Sequence, residues 1–236
     1  MPSGKLYLFP VTLGETEVSL VIPQHNLELI RNISCFIAED AKNARRFLKQ
    51  CNYPDLSKAE ISELNEHTRE NDVSVLLKPL LEGKDVGLLS DAGCPGIADP
   101  GADVVKIAHQ KNIRVVPLVG PSSIVLSIMA SGFNGQNFAF NGYLPIEKPQ
   151  RSKKIKELEQ LAYKNSQSQF FIETPYRNAA MFDDLMSNLR PETLLCLGID
   201  LTTPNEKMIT RPVSAWKKSG APQIHKIPVV FGIYKS

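Results

Sequence analysis

The sequence predicts an α/β protein of two domains, and three observations lead there. Short apolar runs bounded by turn residues alternate with stretches of helical periodicity, the pattern of a mostly parallel sheet covered on both faces. At 236 residues the chain has length for one large core or two smaller ones. A turn-rich segment, Gly120-Pro121-Ser122-Ser123, separates a half that alternates regularly from a half that mixes alternating and hairpin-like elements. The expected division is residues 1–119 and 120–236, with a cleft between two α/β domains and a mixed sheet in the second.

In the first half, Leu6-Tyr7-Leu8-Phe9 reads as a strand closed by Pro10, and Asn26 to Asn32 as a short helix. Cys35-Phe36-Ile37-Ala38 is a buried strand ending in Glu39-Asp40. A helix over 41–51 follows, with a basic, solvated face of Lys42, Arg45, Arg46 and Lys49. Residues 71–81 carry apolar side chains at helical spacing and stop at Gly83. A strand at 85–90, a helix at 102–110 and a strand at 114–119 complete this half. Ser122 and Ser123 then stand where they can cap the apolar helix Ile124 to Ala130. Beyond it are a strand at 137–144, a basic helix at 149–163, a strand at 169–173, a helix at 177–189, and strands at 194–200 and 227–234.

Composition narrows the function classes. With 42% hydrophobic and 22% charged residues the chain belongs with ordinary globular proteins. A formal charge of +2 gives no general attraction to polyanions, so a nucleic-acid partner has to be met by local clusters. Cys35, Cys51, Cys94 and Cys196 are scattered without a CxxC pair, and with four dispersed histidines they offer no zinc spacing, so no metal is expected. Cys35 and Cys196 sit in apolar runs as core thiols, which points to a reduced, cytoplasmic protein. No secretory signal pattern and no apolar run of about 18 residues is found, so no membrane span is expected.

The stretch Ser90-Asp91-Ala92-Gly93-Cys94-Pro95-Gly96-Ile97-Ala98-Asp99-Pro100-Gly101 carries the strongest functional signal. It lies between a strand and a helix, where open parallel sheets place their ligands. Gly and Ala admit close approach of a ligand to the backbone, Pro stiffens the loop, and Asp91 is placed to orient a polar group. A tight strand-to-helix turn explains Gly93 and Pro95, but it does not require twelve residues with acids at both ends. There is no glycine fingerprint near the first strand and no phosphate loop, so a nucleotide-like ligand without a triphosphate suits the loop better than ATP.

This stretch, followed by Val116-Pro117-Leu118-Val119-Gly120-Pro121-Ser122-Ser123, resembles the tetrapyrrole-methylase superfamily. More narrowly it resembles the bacterial branch that 2′-O-methylates a ribose of small-subunit ribosomal RNA. Leu6-Tyr7-Leu8, Ala38-Glu39-Asp40, Asn65-Glu66-His67, Ser131-Gly132-Phe133, Gly142-Tyr143-Leu144-Pro145 and Glu173-Thr174-Pro175-Tyr176-Arg177 fall in the same order. The resemblance implies S-adenosylmethionine as methyl donor in the cleft between two α/β domains, and a homodimer. Carried over by position, Asp91, Ala92, Gly93, Cys94, Ile97 and Ala98 would line the donor. Ser122 and Ser123 would close over it, and Glu173 would fall near the adenine.

The chain departs from that branch on the substrate side. Thr-Pro-Ile-Gly-Asn-Leu after the first strand stands here as Pro10-Val11-Thr12-Leu13-Gly14-Glu15, keeping fragments, and the acid-threonine-arginine after Glu39 is Asp40-Ala41-Lys42. Two cations are lost around Ile199-Asp200-Leu201-Thr202-Thr203. Donor binding is better preserved than substrate binding. The expected function is 2′-O-methylation of small-subunit ribosomal RNA. The alternative is a paralogue that methylates another small molecule, or a non-catalytic donor- or RNA-binding protein.

A ribose hydroxyl ionises far above neutral pH, so its proton needs a base. Glu39 ends a central strand beside the loop and is assigned to the site, with its neighbour Asp40 assigned to capping the next helix. Glu66 and His67 lie in a polar stretch with no core periodicity, as candidates for base or substrate contact against simple solvation. Lys148, Arg151, Lys153 and Lys154 on the basic helix are the candidate RNA phosphate contacts, against a solvated helix face.

Overall fold

The computed structural model describes residues 3–64 and 74–235, and the chain divides into two compact units, Met1–Ser122 and Ser123–Ser236. The first unit is built on β1 (Lys5–Phe9), β2 (Cys35–Ala38), β3 (Glu60–Glu63), β4 (Val86–Leu89) and β5 (Arg114–Pro117). They pair in the order β3-β2-β4-β1-β5, and every pairing is parallel. Strands β2 and β4 are buried at every residue, as unbroken apolar runs are when a parallel sheet is covered on both faces. Alternate residues feed two cores. Phe9 and Phe36 pack with Ile30, Phe47 and Leu48 on one face, and Leu6, Ile37 and Leu88 pack with Leu80, Val104 and Ile107 on the other. Gly87 permits this tight layer, since a Cβ there would stand 2.8 Å from the Phe36 ring.

The second unit carries β6 (Phe138–Tyr143), β7 (Ser168–Ile172), β8 (Leu194–Ile199), β9 (Lys207–Pro212) and β10 (Val229–Tyr234) in the order β6-β7-β10-β8-β9. Strands β6 and β7 are parallel and the other pairs antiparallel, so this sheet is mixed. Its main core joins Phe171 and Phe231, stacked at 5.6 Å, with Leu158, Leu185 and Trp216. The buried Trp216 indole donates to the Leu195 carbonyl at 3.0 Å, so no polar atom of that ring is left unpaired.

Helices follow the expected order with ends shifted by a few residues, which is ordinary at frayed termini. The helix Ala41–Gln50 starts at Asp40, whose carboxylate accepts from the Asn43 N–H at 2.7 Å. Of the helix expected over 71–81, residues 71–73 lie outside the described residues, and Lys78–Leu81 is helical. Elements that carried no expectation include β3, β9 and the short helices Val18–Val21 and Val213–Ser219. Both strands are sheet edges with no fully buried residue, and their exposed faces leave no apolar run to read. All four cysteines are free thiols, with Cys35, Cys51 and Cys196 buried. Among the described residues no helix is long and apolar enough to cross a membrane.

Candidate active site

Parallel pairing decides where the loops of the first unit emerge. Phe9 and Ala38 both stand in register with Leu89. The next residues along these strands, Pro10, Glu39 and Ser90, therefore leave the sheet at one edge, at its carboxyl end. Ligand sites of open α/β sheets form there. Residues 90–101 run from this edge into the helix Gly101–Gln110.

The loop is held by its own short bonds. Ser90 Oγ accepts from the Ala92 N–H at 3.2 Å and donates to the Ala92 carbonyl at 2.9 Å. The Val11 N–H donates to the Gly93 carbonyl at 2.9 Å, tying the segment after β1 to the loop. Gly93 and Gly96 have φ of +75° and +80°, values that suit glycine, and Ala98 joins them at +60°. Cys94 Sγ donates to the Pro121 carbonyl at 3.4 Å.

Asp99 is the brace. Its Oδ1 accepts from the Gly96 N–H at 2.7 Å and the Gly101 N–H at 2.8 Å, closing the turn onto the helix start. Burial holds its carboxyl above the usual range, against the pull of those two N–H groups, and nearby Asp91 adds to the rise. Burial also pushes the Cys94 thiol up, with Asp99 adding to it. Both effects disfavour the thiolate, the nucleophilic form of a cysteine. The outward-facing groups are different ones: Asp91, Ala92, Ile97 and Ala98 are exposed, and Asp91 makes no hydrogen bond or ion pair with the described residues.

Other expected residues separate. Glu39 is exposed at the end of β2. Ser122 and Ser123 are half-buried where the two units join in sequence, and Ser123 opens the helix Ser123–Ser131. Glu66 and His67 lie outside the described residues. Glu173, expected near the adenine, is buried, and its Oε1 accepts from the Thr174 N–H at 2.7 Å and from Arg177 Nη2 at 2.6 Å. In the second unit it braces the turn after β7.

The basic helix Lys148–Asn165 requires a correction. Arg151 does not face solvent and cannot meet a phosphate. It is 8% exposed and bonds Asp184 through Nε at 2.7 Å and Nη2 at 2.6 Å, and it also donates to the Pro145 and Ile146 carbonyls. A guanidinium taken out of water must find such partners. Lys148, 3.6 Å from Asp184, and Lys154, 2.9 Å from Glu157, keep weaker surface pairings, and Lys153 is exposed.

One part of the site was read only as surface. A pocket of about 170 Å³ lies in the first unit between residues 11–15, the helix Ala41–Gln50, and Ser90 and Asp91. Asn43, Arg46 and Gln50 share one face of that helix at spacings of three and four, and Phe47 lies beneath them. The sequence places Arg46 on a basic, solvated face with Lys42, Arg45 and Lys49. Its neighbours in the pocket are instead Asn43 and Gln50, and that a loop 40 residues further on closes this face has no local sequence signal. Among the described residues no group of three or more His, Cys, Asp or Glu side chains is placed to hold a metal ion.

Comparison with known proteins agrees with this geometry. The family model for tetrapyrrole (corrin/porphyrin) methylases matches residues 22–215. The ribosomal RNA small subunit methyltransferase I of Vibrio cholerae is 29% identical over 216 residues, covering 91% of this chain and 71% of that protein. Its counterpart of the same name in Bacillus subtilis is 30% identical over 211 residues, covering 89% and 68%. Among solved structures, the methyltransferase CobJ superposes with a TM-score of 0.67 at 13% identity, over 99% of this chain and 95% of that one. Uroporphyrin-III C-methyltransferase of Thermus thermophilus, complexed with S-adenosylhomocysteine, gives 0.55 at 16% identity over 98% and 97%. A two-unit α/β fold, a glycine-built loop at the carboxyl edge of a parallel sheet and a family match across most of the length converge: the chain belongs to the tetrapyrrole methylases and is an S-adenosylmethionine-dependent methyltransferase.

Proposed function

We propose that this enzyme transfers a methyl group to a ribose 2′-hydroxyl of small-subunit ribosomal RNA. The observation that carries the reading is the 90–101 loop, with Asp91 exposed and Glu39 emerging at the same sheet edge. The names of the relatives, ribosomal RNA small subunit methyltransferase I, support the acceptor class.

The residues fit the donor. Gly93 and Gly96 turn the backbone through conformations closed to most side chains, and a Cβ at Gly93 would stand 3.1 Å from Leu13 Cδ2. Asp91 offers a carboxylate for the donor's ammonium or hydroxyl groups. Ala92, Gly93, Cys94 and Ala98 supply a low backbone surface, Ile97 an exposed apolar one, and Ser122 and Ser123 hydroxyls on the next segment. S-adenosylmethionine brings an activated sulfonium methyl, so the protein's task is alignment and exclusion of water. Glu39, at the sheet edge from which the loop emerges, is the first candidate for taking the hydroxyl proton, with Glu66 and His67 as the others. Lys148, Lys153 and Lys154 are the RNA phosphate contacts. The protein works in the cytoplasm as a homodimer.

Calorimetry with S-adenosylhomocysteine, with ATP and NAD as controls, tests the donor site; micromolar affinity for the first alone is expected. Ribose-methylation mapping of ribosomal RNA from a deletion strain tests the acceptor. A lost 2′-O-methyl mark in the small-subunit RNA is expected. An unchanged map refutes the acceptor and favours the small-molecule methylase.

A further inference from the structure

The pocket beneath the helix Ala41–Gln50 is used by neither the donor loop's internal bonds nor the phosphate contacts. Its apolar lining residues are Val11, Leu13 and Phe47, of which Val11 and Phe47 are buried. Its polar lining includes Thr12, Glu15, Asn43, Arg46, Gln50 and Asp91. Arg46 makes no ion pair with the described residues, although two carboxylates line the same pocket. The side chains of Asn43 and Gln50 also make no hydrogen bond with the described residues. The polar lining therefore holds donors and acceptors unspent on each other.

Size and charge limit what enters. At about 170 Å³ the space is below the roughly 300 Å³ at which sites for drug-sized ligands begin, so it takes a single ring system and not a whole nucleotide. One guanidinium against two carboxylates repels a phosphate. A flat, neutral ring with both donors and acceptors on its edge suits a lining of a few apolar side chains among many polar ones. Arg pairs with ring nitrogens and carbonyls, carboxylates accept from exocyclic amines, and Asn and Gln do both.

We infer that this pocket receives the base of the acceptor nucleotide, unstacked from its neighbours. The inference rests on the reading of the acceptor as RNA and adds to it the group that selects the nucleotide. Asp91 borders the pocket and belongs to the donor loop, so a base held here puts its own ribose beside the donor. Enzymes that do chemistry on a base extract it in this way, and holding the extracted base fixes the position of its ribose as well. The pocket wall at 11–15 is also a segment where the sequence departs from the ribosomal branch. Base choice is thus a property that this departure bears on.

Two measurements test this on the full chain. The first uses a synthetic RNA bearing the nucleotide that methylation mapping identifies, and the same RNA with an abasic ribose there. Wild-type enzyme should lose about tenfold in affinity for the abasic RNA, the size of one good base contact, whereas Arg46→Ala and Gln50→Ala should no longer distinguish the two RNAs. S-adenosylhomocysteine affinity should be unchanged in both variants, which shows that they fold. Full additivity of variant and abasic change overturns the inference. The second follows side-chain resonances of Arg46 and Gln50 during titration with the four ribonucleosides and with inorganic phosphate. Shifts with a nucleoside and none with phosphate support the pocket even if no RNA is methylated, in which case only the acceptor reading falls. Shifts with phosphate alone, or with none of the probes, overturn it.

Discussion

Gly93→Ala separates a loop that binds the donor from one that merely turns the chain. Gly93 sits at φ +75°, a left-handed conformation that costs a residue with a Cβ about 1–2 kcal/mol. The added Cβ would meet Leu13 Cδ2 at 3.1 Å and the Pro121 carbonyl oxygen at 3.6 Å. The leucine methyl can withdraw, so backbone strain outweighs the steric contact. Relaxing that strain means giving up the bond from the Val11 N–H to Gly93 at 2.9 Å, so the segment after β1 shifts with the loop. The apparent affinity then falls by the fraction of loops still in the binding conformation. At about 1.4 kcal/mol per factor of ten, a strain of about 1–2 kcal/mol corresponds to a 5- to 30-fold rise in Kd. Calorimetric titration with S-adenosylhomocysteine reads this directly. Gly220→Ala is the control, because Gly220 has the same φ of +75° with no atom within 4 Å of the added Cβ. It should lose stability in urea and keep donor affinity. A folded Gly93→Ala protein with the wild-type Kd refutes the reasoning.

Other expectations follow from bonds already described. Arg151→Ala leaves Asp184 buried without its guanidinium and should lower stability by about 3–5 kcal/mol in urea unfolding, with the salt slope of RNA binding unchanged. Lys153→Ala should do the reverse, keeping stability while reducing that slope by roughly one unit or somewhat less; a Lys153 variant with the wild-type slope removes that phosphate contact. Asp99→Asn keeps an Oδ1 acceptor for Gly96 and Gly101 and removes the charge. Because burial raises the folded pKa of Asp99 above its ordinary 3.8, the stability this acid contributes is complete below that value and is lost as pH rises through the folded pKa. The variant should therefore gain on wild type from acid toward neutral pH in urea melts, and a gap that stays flat or narrows contradicts the assignment. Phe231→Ala removes a fully buried ring stacked on Phe171 and should cost about 3–5 kcal/mol of stability, a smaller loss showing that the core refills.

The fold was legible wherever burial shows itself as composition. Strands β2 and β4 are buried on both faces and read as continuous apolar words, Cys35-Phe36-Ile37-Ala38 and Val86-Gly87-Leu88-Leu89. Strand β3, Glu60-Ile61-Ser62-Glu63, is held at the edge by backbone pairing with β2, and its side chains carry no such record. The site divides in the same way. Loop 90–101 announced itself through Gly and Pro, because its backbone conformation demands those residue types. The duties of its two acids did not. Asp91 and Asp99 look alike in sequence, yet one is exposed and the other ties Gly96 to Gly101. Arg151 was read with its lysine neighbours for the same reason, since its partner Asp184 lies 33 residues away.

Strand order has a consequence for how this protein can be assembled. The first strand, β1, lies between β4 and β5, and the last, β10, is the middle of five. During synthesis β1 has no neighbour to pair with until residues 86–89 and 114–117 have been made. The second sheet has the opposite dependence: β7 and β8 are complete while the strand that joins them is still to come. Each sheet is thus closed by a segment far along the chain from its partners, and until that moment two inner strands stand as open, apolar edges. Cutting the chain before Val229 would freeze the second unit in that state. Loss of β10 would remove the keystone of a sheet, since both its neighbours pair through it.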